Sequence, residues 1–227
     1  MATKLHERIY LEKALELLDL DLQVADREAP DFELSNGHEI WGIEVRNLFK
    51  DEHPKRGSKS KTEESLNTKQ LQKIANRYYE NNATPILLKI LGVKSIEPYS
   101  DLILNAIVER MPRQPFSNEK ICLNKGPTLY VTDLPAEQSK YSRWDIVNDR
   151  VGWVKKLTLE DLQKAINIKS EKLTSYILRY SKVDLLLVCD RLNNSGKLSL
   201  PIAPKVSNPG FSNIYLLLHP LSVTKLD

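Results

Sequence analysis

The sequence contains few of the residues that several common functional sites require. Only two of its 227 residues are cysteine, too few for a disulfide framework, and Cys189 lies in an apolar segment typical of a packed, reduced thiol. The four histidines show no spacing typical of a zinc site. The eight glycines form neither a G-x-S-x-G elbow nor a glycine-rich phosphate loop. These absences argue against zinc chemistry, serine hydrolases of the elbow type and P-loop enzymes.

Long hydrophobic runs are also absent. The longest are PILLKIL, VDLLLVC and IYLLL, far shorter than the roughly 20 residues of a transmembrane helix. The start, MATKLHERIY, lacks the uninterrupted apolar core of a secretory signal. The sequence therefore predicts a protein without a membrane span, and the expected location is cytoplasmic.

The bulk composition is that of a globular protein. Apolar residues make up 41% and charged residues 28% of the chain, and the length suits one large domain or one domain with an embellishment. The net charge of +3 is compatible with a nucleic-acid partner but does not argue for one by itself. Residues 55–61, KRGSKSK, hold four cations and no acid, which is typical either of a solvated loop or of a loop that contacts phosphate.

Periodicity and turn residues predict alternating helices and strands. Helices are expected at 4–20, 63–80, 100–110 and 158–180, a hairpin at 30–49, a loop at 50–64, and further strands at 85–91, 126–134, 183–190 and near 213–218. This order favours a mixed α/β sandwich around one sheet. We expect a single domain over 1–227 with an insertion or elaboration around 50–157.

Two carboxylates are expected to meet on the hairpin. Side chains alternate along a strand, so Glu44 lies on the face opposite Trp41, Ile43 and Val45. Strand pairing can bring Asp31 beside Glu44 from 13 residues earlier in the chain. Two converging carboxylates repel each other unless a cation lies between them, and a hard divalent ion is the usual solution. Taken alone, the pair is equally well explained as two solvent-facing acids.

Lys169 is out of place on an apolar face. Residues 162, 166, 169, 173, 176 and 180 recur at steps of three and four, and all except Lys169 are Leu, Ile or Tyr. Burial of an unpaired ammonium is costly, so a lysine at this position either extends to a rim or meets carboxylates. In the first helix Glu7 shares the face of Leu11, Ala14 and Leu18 in the same way, although a solvated first turn explains it equally well.

Together these residues resemble the PD-(D/E)xK, or restriction-endonuclease-like, nuclease superfamily. Pro30-Asp31 matches the P-D half of the motif, and Glu44-Val45 matches the start of the (D/E)-x-K half. The lysine position holds Arg46, a permanent cation that cannot lose a proton near neutrality. The family is known to move its lysine to a nearby helix, and Lys169 fits such a migration. The resemblance implies a mixed sheet flanked by helices.

The resemblance also implies a chemistry: metal-dependent hydrolysis of DNA phosphodiesters. Asp31, Glu44 and the Val45 carbonyl would hold Mg²⁺ or Mn²⁺, and Glu7 would orient the site. Lys169 would position the attacking water or neutralise charge on the phosphoryl oxygens.

Substrate contacts are expected from three cations outside this centre. Arg46 would bind a flanking phosphate as a bidentate donor, and Lys55 and Arg56 would contact the nucleic acid. A homodimer is compatible with the resemblance, because related nucleases act as dimers to cut two strands.

Two other hypotheses remain open on the sequence. In one, the domain has lost catalysis and binds nucleic acid or a protein partner, which the arginine at position 46 favours. In the other, an unrelated α/β protein carries these acids and the lysine by chance. Divergent orientations of Asp31 and Glu44 would favour the unrelated protein, and a distant Lys169 would favour the silent domain.

Overall fold

The computed structural model describes residues 4–53, 57–110, 114–138, 143–147, 154–200 and 205–226. The chain divides into two compact units. Unit 1 comprises residues 1–58 and 153–227, and unit 2 comprises residues 59–152. Unit 2 therefore interrupts the sequence of unit 1, within the stretch 50–157 where we expected an elaboration. That the whole chain forms one domain stays a prediction.

The described residues contain five α-helices and fourteen strands. The helices are α1 Lys4–Leu17, α2 Lys59–Asn81, α3 Ser100–Glu109, α4 Leu159–Ser170 and α5 Leu173–Ile177. The strands are β1 Gln23–Asp26, β2 Phe32–Ser35, β3 Ile40–Asn47, β4 Glu52–His53, β5 Gly57–Ser58, β6 Ile86–Leu91, β7 Asn118–Cys122, β8 Thr128–Asp133, β9 Arg143–Val147, β10 Lys155–Lys156, β11 Val183–Asp190, β12 Leu198–Ser199, β13 Ile214–His219 and β14 Ser222–Lys225.

Unit 1 is organised around a six-stranded mixed sheet in the order β1-β2-β3-β11-β13-β14. The three central strands run parallel to one another, and β1, β2 and β14 pair antiparallel at the two sides. The short strands form two small ladders, β4 with β5 and β10 with β12. The predicted hairpin is β2 and β3, and the side-chain oxygen of Asn36 accepts the amide protons of His38 and Glu39 in its turn.

Helices cover both faces of this sheet. On one face α1 packs Leu11 and Ala14 against strand residues that include Phe32, Val45 and Leu186. On the other face α4 and α5 contribute an apolar set that packs on Leu185, Leu187 and Leu216 and consists of Leu162, Ala165, Ile166, Leu173 and Tyr176. All eight residues of β11 are buried, as expected for a continuous apolar run at the centre of a sheet covered on both sides.

The predicted helix over 158–180 is wrong in one respect, because the structure breaks it into α4 and α5. Thr158 and Asp161 form the expected capping box at its start, with each side chain accepting the other's amide proton. At the break the amide of Lys172 bonds to the carbonyl of Lys169, three residues back instead of four. The apolar stripe continues across this tight turn, since Leu173 and Tyr176 remain buried.

The predicted loop over 50–64 is also wrong in part. Helix α2 already begins at Lys59, and β4 and β5 pair before it. Lysine and glutamate favour helix, and the early turns place Lys59 opposite Glu63 and Lys61 opposite Glu64 at helical spacing. A polar composition therefore marked a solvated helix start as well as a loop.

Unit 2 contains a second mixed sheet in the order β7-β8-β6-β9. Strands β7, β8 and β6 are antiparallel, whereas β9 runs parallel to β6. Helices α2 and α3 pack on one face through a buried apolar cluster that includes Ile74, Ile103, Leu88 and Val131. The short strand β7 was not predicted, because its sequence NEKIC alternates polar and apolar residues over only five positions.

The predicted mixed α/β class is thus confirmed, with several mixed sheets flanked by helices in place of the single sheet we expected. No helix of the described residues combines the length and the apolar content that crossing a membrane would need.

The apolar face of α4 should contribute much of the stability of unit 1. We expect Leu162→Ala to lower the free energy of unfolding by about 2–5 kcal/mol, because Leu162 is fully buried and its truncation leaves a cavity. Leu159→Ala, in the same helix but 50% exposed, should change it by less than about 0.5 kcal/mol. Urea denaturation measures both. Equal losses in the two variants would contradict this packing.

Candidate active site

The hairpin locks the two carboxylates to each other through the main chain. Asp31 directly precedes β2, where Phe32 pairs with Ile43 of β3. The Asp31 amide donates to the Glu44 carboxylate at 3.2 Å, and the Val45 amide donates to the Asp31 carboxylate at 2.8 Å. Glu44 is only 2% exposed. The two acids therefore converge, and each carboxylate is oriented by a backbone donor beside the other acid.

The position of Asp31 depends on close packing between the Pro30 ring and Gly42 of β3. A Cβ placed on Gly42 would lie 2.4 Å from Cγ of Pro30 and 3.4 Å from the Tyr180 ring. Only glycine leaves room for the proline ring to rest on β3. Pro30 thus packs against the strand that carries Glu44, and Asp31 follows at the same edge.

Helix α4 brings a lysine to these acids from the covering layer. The Lys169 ammonium lies 2.5 Å from Oε1 of Glu44 and 3.9 Å from Oδ2 of Asp31. Its side chain is 18% exposed, whereas that of Glu44 is 3% exposed. The structure thus places Lys169 where its position on the apolar stripe predicts, although its catalytic role stays a prediction.

Two further residues belong to the cluster and were missed by the sequence analysis. Tyr176 lies beside Glu44: burial raises the pKa of its hydroxyl, and the Glu44 carboxylate raises it further. Tyrosine on an apolar stripe looks like ordinary core, although Tyr176 lies two turns after Lys169 on the same face and this spacing could have signalled it. The Lys4 ammonium lies 3.8 Å from Oδ1 of Asp31 and donates to the Asp31 carbonyl at 2.5 Å. No spacing signal distinguishes Lys4 from a solvated helix start.

Glu7 lies within the electrostatic field of the same group. Burial raises its pKa, and the negative charge of Asp31 raises it further. Lys4 and Lys169 act in the opposite direction, and Glu44 adds a smaller increase. The first turn of α1 therefore adds a third carboxyl group to the neighbourhood of Asp31 and Glu44.

The predicted substrate-binding cations have different outcomes. Arg46 places Nη2 at 2.5 Å from Oε1 of Glu52, and its buried Nε has no hydrogen-bond partner among the described residues. The guanidinium is thus partly engaged within unit 1. Lys55 and Arg56 lie outside the described residues.

The carboxylates of Asp31 and Glu44 supply part of what a divalent ion needs. Asp31 and Glu44 offer carboxylate oxygens, the ligands that Mg²⁺ prefers. Within the described ranges, no group of three or more His, Cys, Asp and Glu side chains is arranged to hold a metal ion. Mg²⁺ is often bound through only one or two carboxylates, with water and substrate phosphate completing its shell. The two acids fit such a site, and the Val45 carbonyl stays a predicted ligand.

Comparison with known proteins identifies no relative. No protein-family model, no curated protein and no solved structure matches the chain significantly.

The contact between Lys169 and Glu44 should be strongly coupled. Lys169→Met leaves a carboxylate in a buried position without its cation, so we expect a loss of about 3 kcal/mol in the free energy of unfolding. Glu44→Gln in the same chain should recover much of that loss. Urea denaturation of the four members of this double-mutant cycle should give a coupling energy above about 1 kcal/mol.

A matched control for that cycle is the more exposed pair of Lys182 and Glu39, whose ammonium and carboxylate lie 2.6 Å apart. Its cycle, Lys182→Met with Glu39→Gln, should give a smaller coupling energy of about 0.2–1 kcal/mol, because solvent screens the charges. Coupling energies of equal size in the two cycles would contradict the buried contact.

Glu7 should oppose folding at neutral pH. A carboxyl whose pKa is raised by folding destabilises the folded state above that raised pKa, and this penalty disappears below the ordinary value of 4.5. Glu7→Gln should therefore increase the free energy of unfolding at pH 7, and the gain should vanish as the pH falls to about 4.

Urea denaturation at several pH values, with a chelator present, checks this expectation. The control is Glu12→Gln, since Glu12 is exposed in the same helix and pairs with Arg8. That variant should gain no stability at pH 7. A Glu7→Gln gain that does not depend on pH would show that the charge of Glu7 is not its cause.

Proposed function

We propose that the protein is a metal-dependent deoxyribonuclease that hydrolyses phosphodiester bonds at Asp31, Glu44 and Lys169, with Glu7 beside them. The observation that carries the proposal is the convergence of a helix-borne lysine on two hairpin carboxylates. The Lys169 ammonium is within 3.9 Å of both acids, although 125 residues separate it from Glu44 in sequence. Structural needs alone favour apolar residues at such covered positions.

The charge balance supports a cation at this site. Three carboxyl groups, those of Glu7, Asp31 and Glu44, face two ammonium groups, those of Lys4 and Lys169. When all five are ionised the group keeps a negative charge. Burial is the main cause of the raised pKa of Glu7, and the negative charges of Asp31 and Glu44 add to it. A divalent cation would relieve the repulsion, and a phosphodiester anion alone would increase it.

The residues divide the work of hydrolysis among themselves. A bound Mg²⁺ or Mn²⁺ would polarise a phosphoryl oxygen and lower the pKa of a coordinated water. Asp31 and Glu44 would hold that ion, and Lys169 would stabilise negative charge on the phosphoryl oxygens or orient the attacking water. The water oxygen bonds to phosphorus, the bond to one deoxyribose oxygen breaks, and the proton lost by the water balances the one that the leaving oxygen takes up.

The fold of unit 1 supports the same proposal. A mixed sheet with a helix layer on each face, and a hairpin that presents P-D and E-V-R, is similar to the PD-(D/E)xK arrangement. The helical lysine supports the variant of that arrangement in which the lysine has left the strand.

A catalytically silent domain that binds nucleic acid or a protein partner is the second candidate. Two observations favour it. Strand β3 carries no lysine, and Arg46, which stands at the lysine position of the motif, pairs with Glu52 within unit 1. Arg46 cannot act as a proton donor or acceptor near neutrality.

Cleavage by the purified full chain distinguishes the two candidates. With Mg²⁺ or Mn²⁺ and single- or double-stranded DNA, we expect cutting that Glu44→Ala and Lys169→Ala each reduce by at least about a hundredfold. Gel electrophoresis of the products measures the rate, and circular dichroism checks that each variant is folded.

Lys164→Ala is the matched control, because Lys164 is exposed on the same helix and its substitution removes the same charge. It should keep the activity. Cutting that survives Glu44→Ala would point to a contaminant or another site. DNA binding without any cutting would establish the silent domain instead.

A further inference from the structure

The sheet of unit 2 has two faces of different character. Ile86, Leu88 and Ile90 of β6 and Leu129 and Val131 of β8 are fully buried against α2 and α3. The residues between them point to the opposite face, which we call the open face. By register its members include Lys89, Lys120, Cys122, Tyr130, Arg143 and Asp145.

One row of the open face crosses the four strands as Lys120, Tyr130, Lys89 and Asp145, so that a lysine lies on each side of the aromatic ring and an acid ends the row. Lys120 pairs with Tyr130, and Tyr130 pairs with Lys89 on its other side. The Lys120 ammonium lies 5.9 Å from the centroid of the Tyr130 ring. Both lysines are exposed and Tyr130 is half-buried on the central strand. The ring therefore has a lysine on the neighbouring strand at each side.

The open face carries an excess of positive charge. Arg143 pairs with Asp145 at 3.1 Å. Across the described part of the chain, neither Lys89 nor Lys120 has an ion-pair partner, and the Lys120 ammonium lies over the Tyr130 ring. Unpaired lysines around an aromatic ring complement a polyanion that carries flat rings of its own.

We propose that the open face of unit 2 binds single-stranded DNA, with a base stacked on Tyr130 and backbone phosphates held by Lys89 and Lys120. Stacking on an aromatic side chain requires an unpaired base, because the bases of a duplex already stack on one another. The two lysine strands lie about 10 Å apart, on either side of the strand that carries the ring. This binding surface lies outside the acidic cluster, and only the choice of DNA over RNA rests on the proposed function.

The chain provides a reporter on the surface itself. Cys122 is exposed on the open face, in the row next to Tyr130 and opposite Thr128. The second cysteine, Cys189, is buried in unit 1, and burial raises its pKa to about 12. A maleimide at neutral pH should therefore label Cys122 alone.

The test measures the rate of Cys122 labelling in the full chain, with EDTA present so that no metal-dependent cleavage occurs. An oligothymidine of about 20 nucleotides should slow labelling by roughly fivefold or more at saturation. Tyr130→Thr should weaken the oligonucleotide's apparent affinity by about tenfold through loss of stacking. The double variant Lys89→Gln, Lys120→Gln should also weaken it and should reduce its dependence on salt.

Lys73→Gln is the matched control, because Lys73 is exposed on α2, the helix that packs on the other face of the sheet. It should leave the protection of Cys122 unchanged. Labelling that is insensitive to the oligonucleotide, or equally protected in the Tyr130→Thr and double-lysine variants, would overturn the proposal. Equal protection by duplex DNA would overturn the single-strand assignment, and stronger protection by an RNA of the same length would overturn the choice of DNA. Cleavage with metal but without protection would retain the deoxyribonuclease and remove this surface, whereas protection without cleavage would do the reverse.

Discussion

The carboxylate of Glu44 sets the main constraint on unit 1, because the residue is only 2% exposed and solvent can do little to stabilise its charge. Three groups surround it: the Asp31 amide, Tyr176 and the Lys169 ammonium, of which the amide and the ammonium donate hydrogen bonds to it. These partners belong to the hairpin, to α5 and to α4. The position of each helix over the sheet is therefore tied to one charged atom, and apolar packing around it must be compatible with that contact.

The same constraint explains how polar groups coexist with a well-packed core. On the helix layer, Leu162, Ile166 and Leu173 fill the apolar positions before and after Lys169. The methylene chain of a lysine can continue such a surface, and the Lys169 ammonium reaches both carboxylates. On the opposite face Trp41, Ile43 and Val45 pack beneath α1, so that β3 separates an apolar side from a charged one at alternate residues.

Simple periodicity predicted much of this arrangement. The alternation along β3 gave the orientation of Glu44, and the steps of three and four through 158–180 placed Lys169 even though the helix breaks at residue 171. The turn preserves the phase of the stripe, so the face survives the break. The strand β1 and the strand β7 escaped notice because four or five residues carry little periodic signal. Tyr176 escaped because a tyrosine on an apolar stripe looks like ordinary core. Lys4 escaped because its contact with Asp31 depends on the distance between elements, which no local pattern encodes.

Unit 1 is formed by two stretches of chain with unit 2 between them, and this has a consequence for biosynthesis. Asp31 and Glu44 are synthesised long before Lys169, which follows Glu44 by 125 residues. All of residues 59–152 must be made in the interval. At about 5–20 residues per second, Glu44 waits roughly 6–25 seconds for Lys169. The strand β11, which lies beside β3, follows slightly later. During that time the hairpin has no covering helix from α4 and no parallel neighbour, so its acids remain hydrated and its edge unpaired. In the nascent chain the Glu44 carboxylate thus stays hydrated until the last third of the protein is synthesised and can bury it.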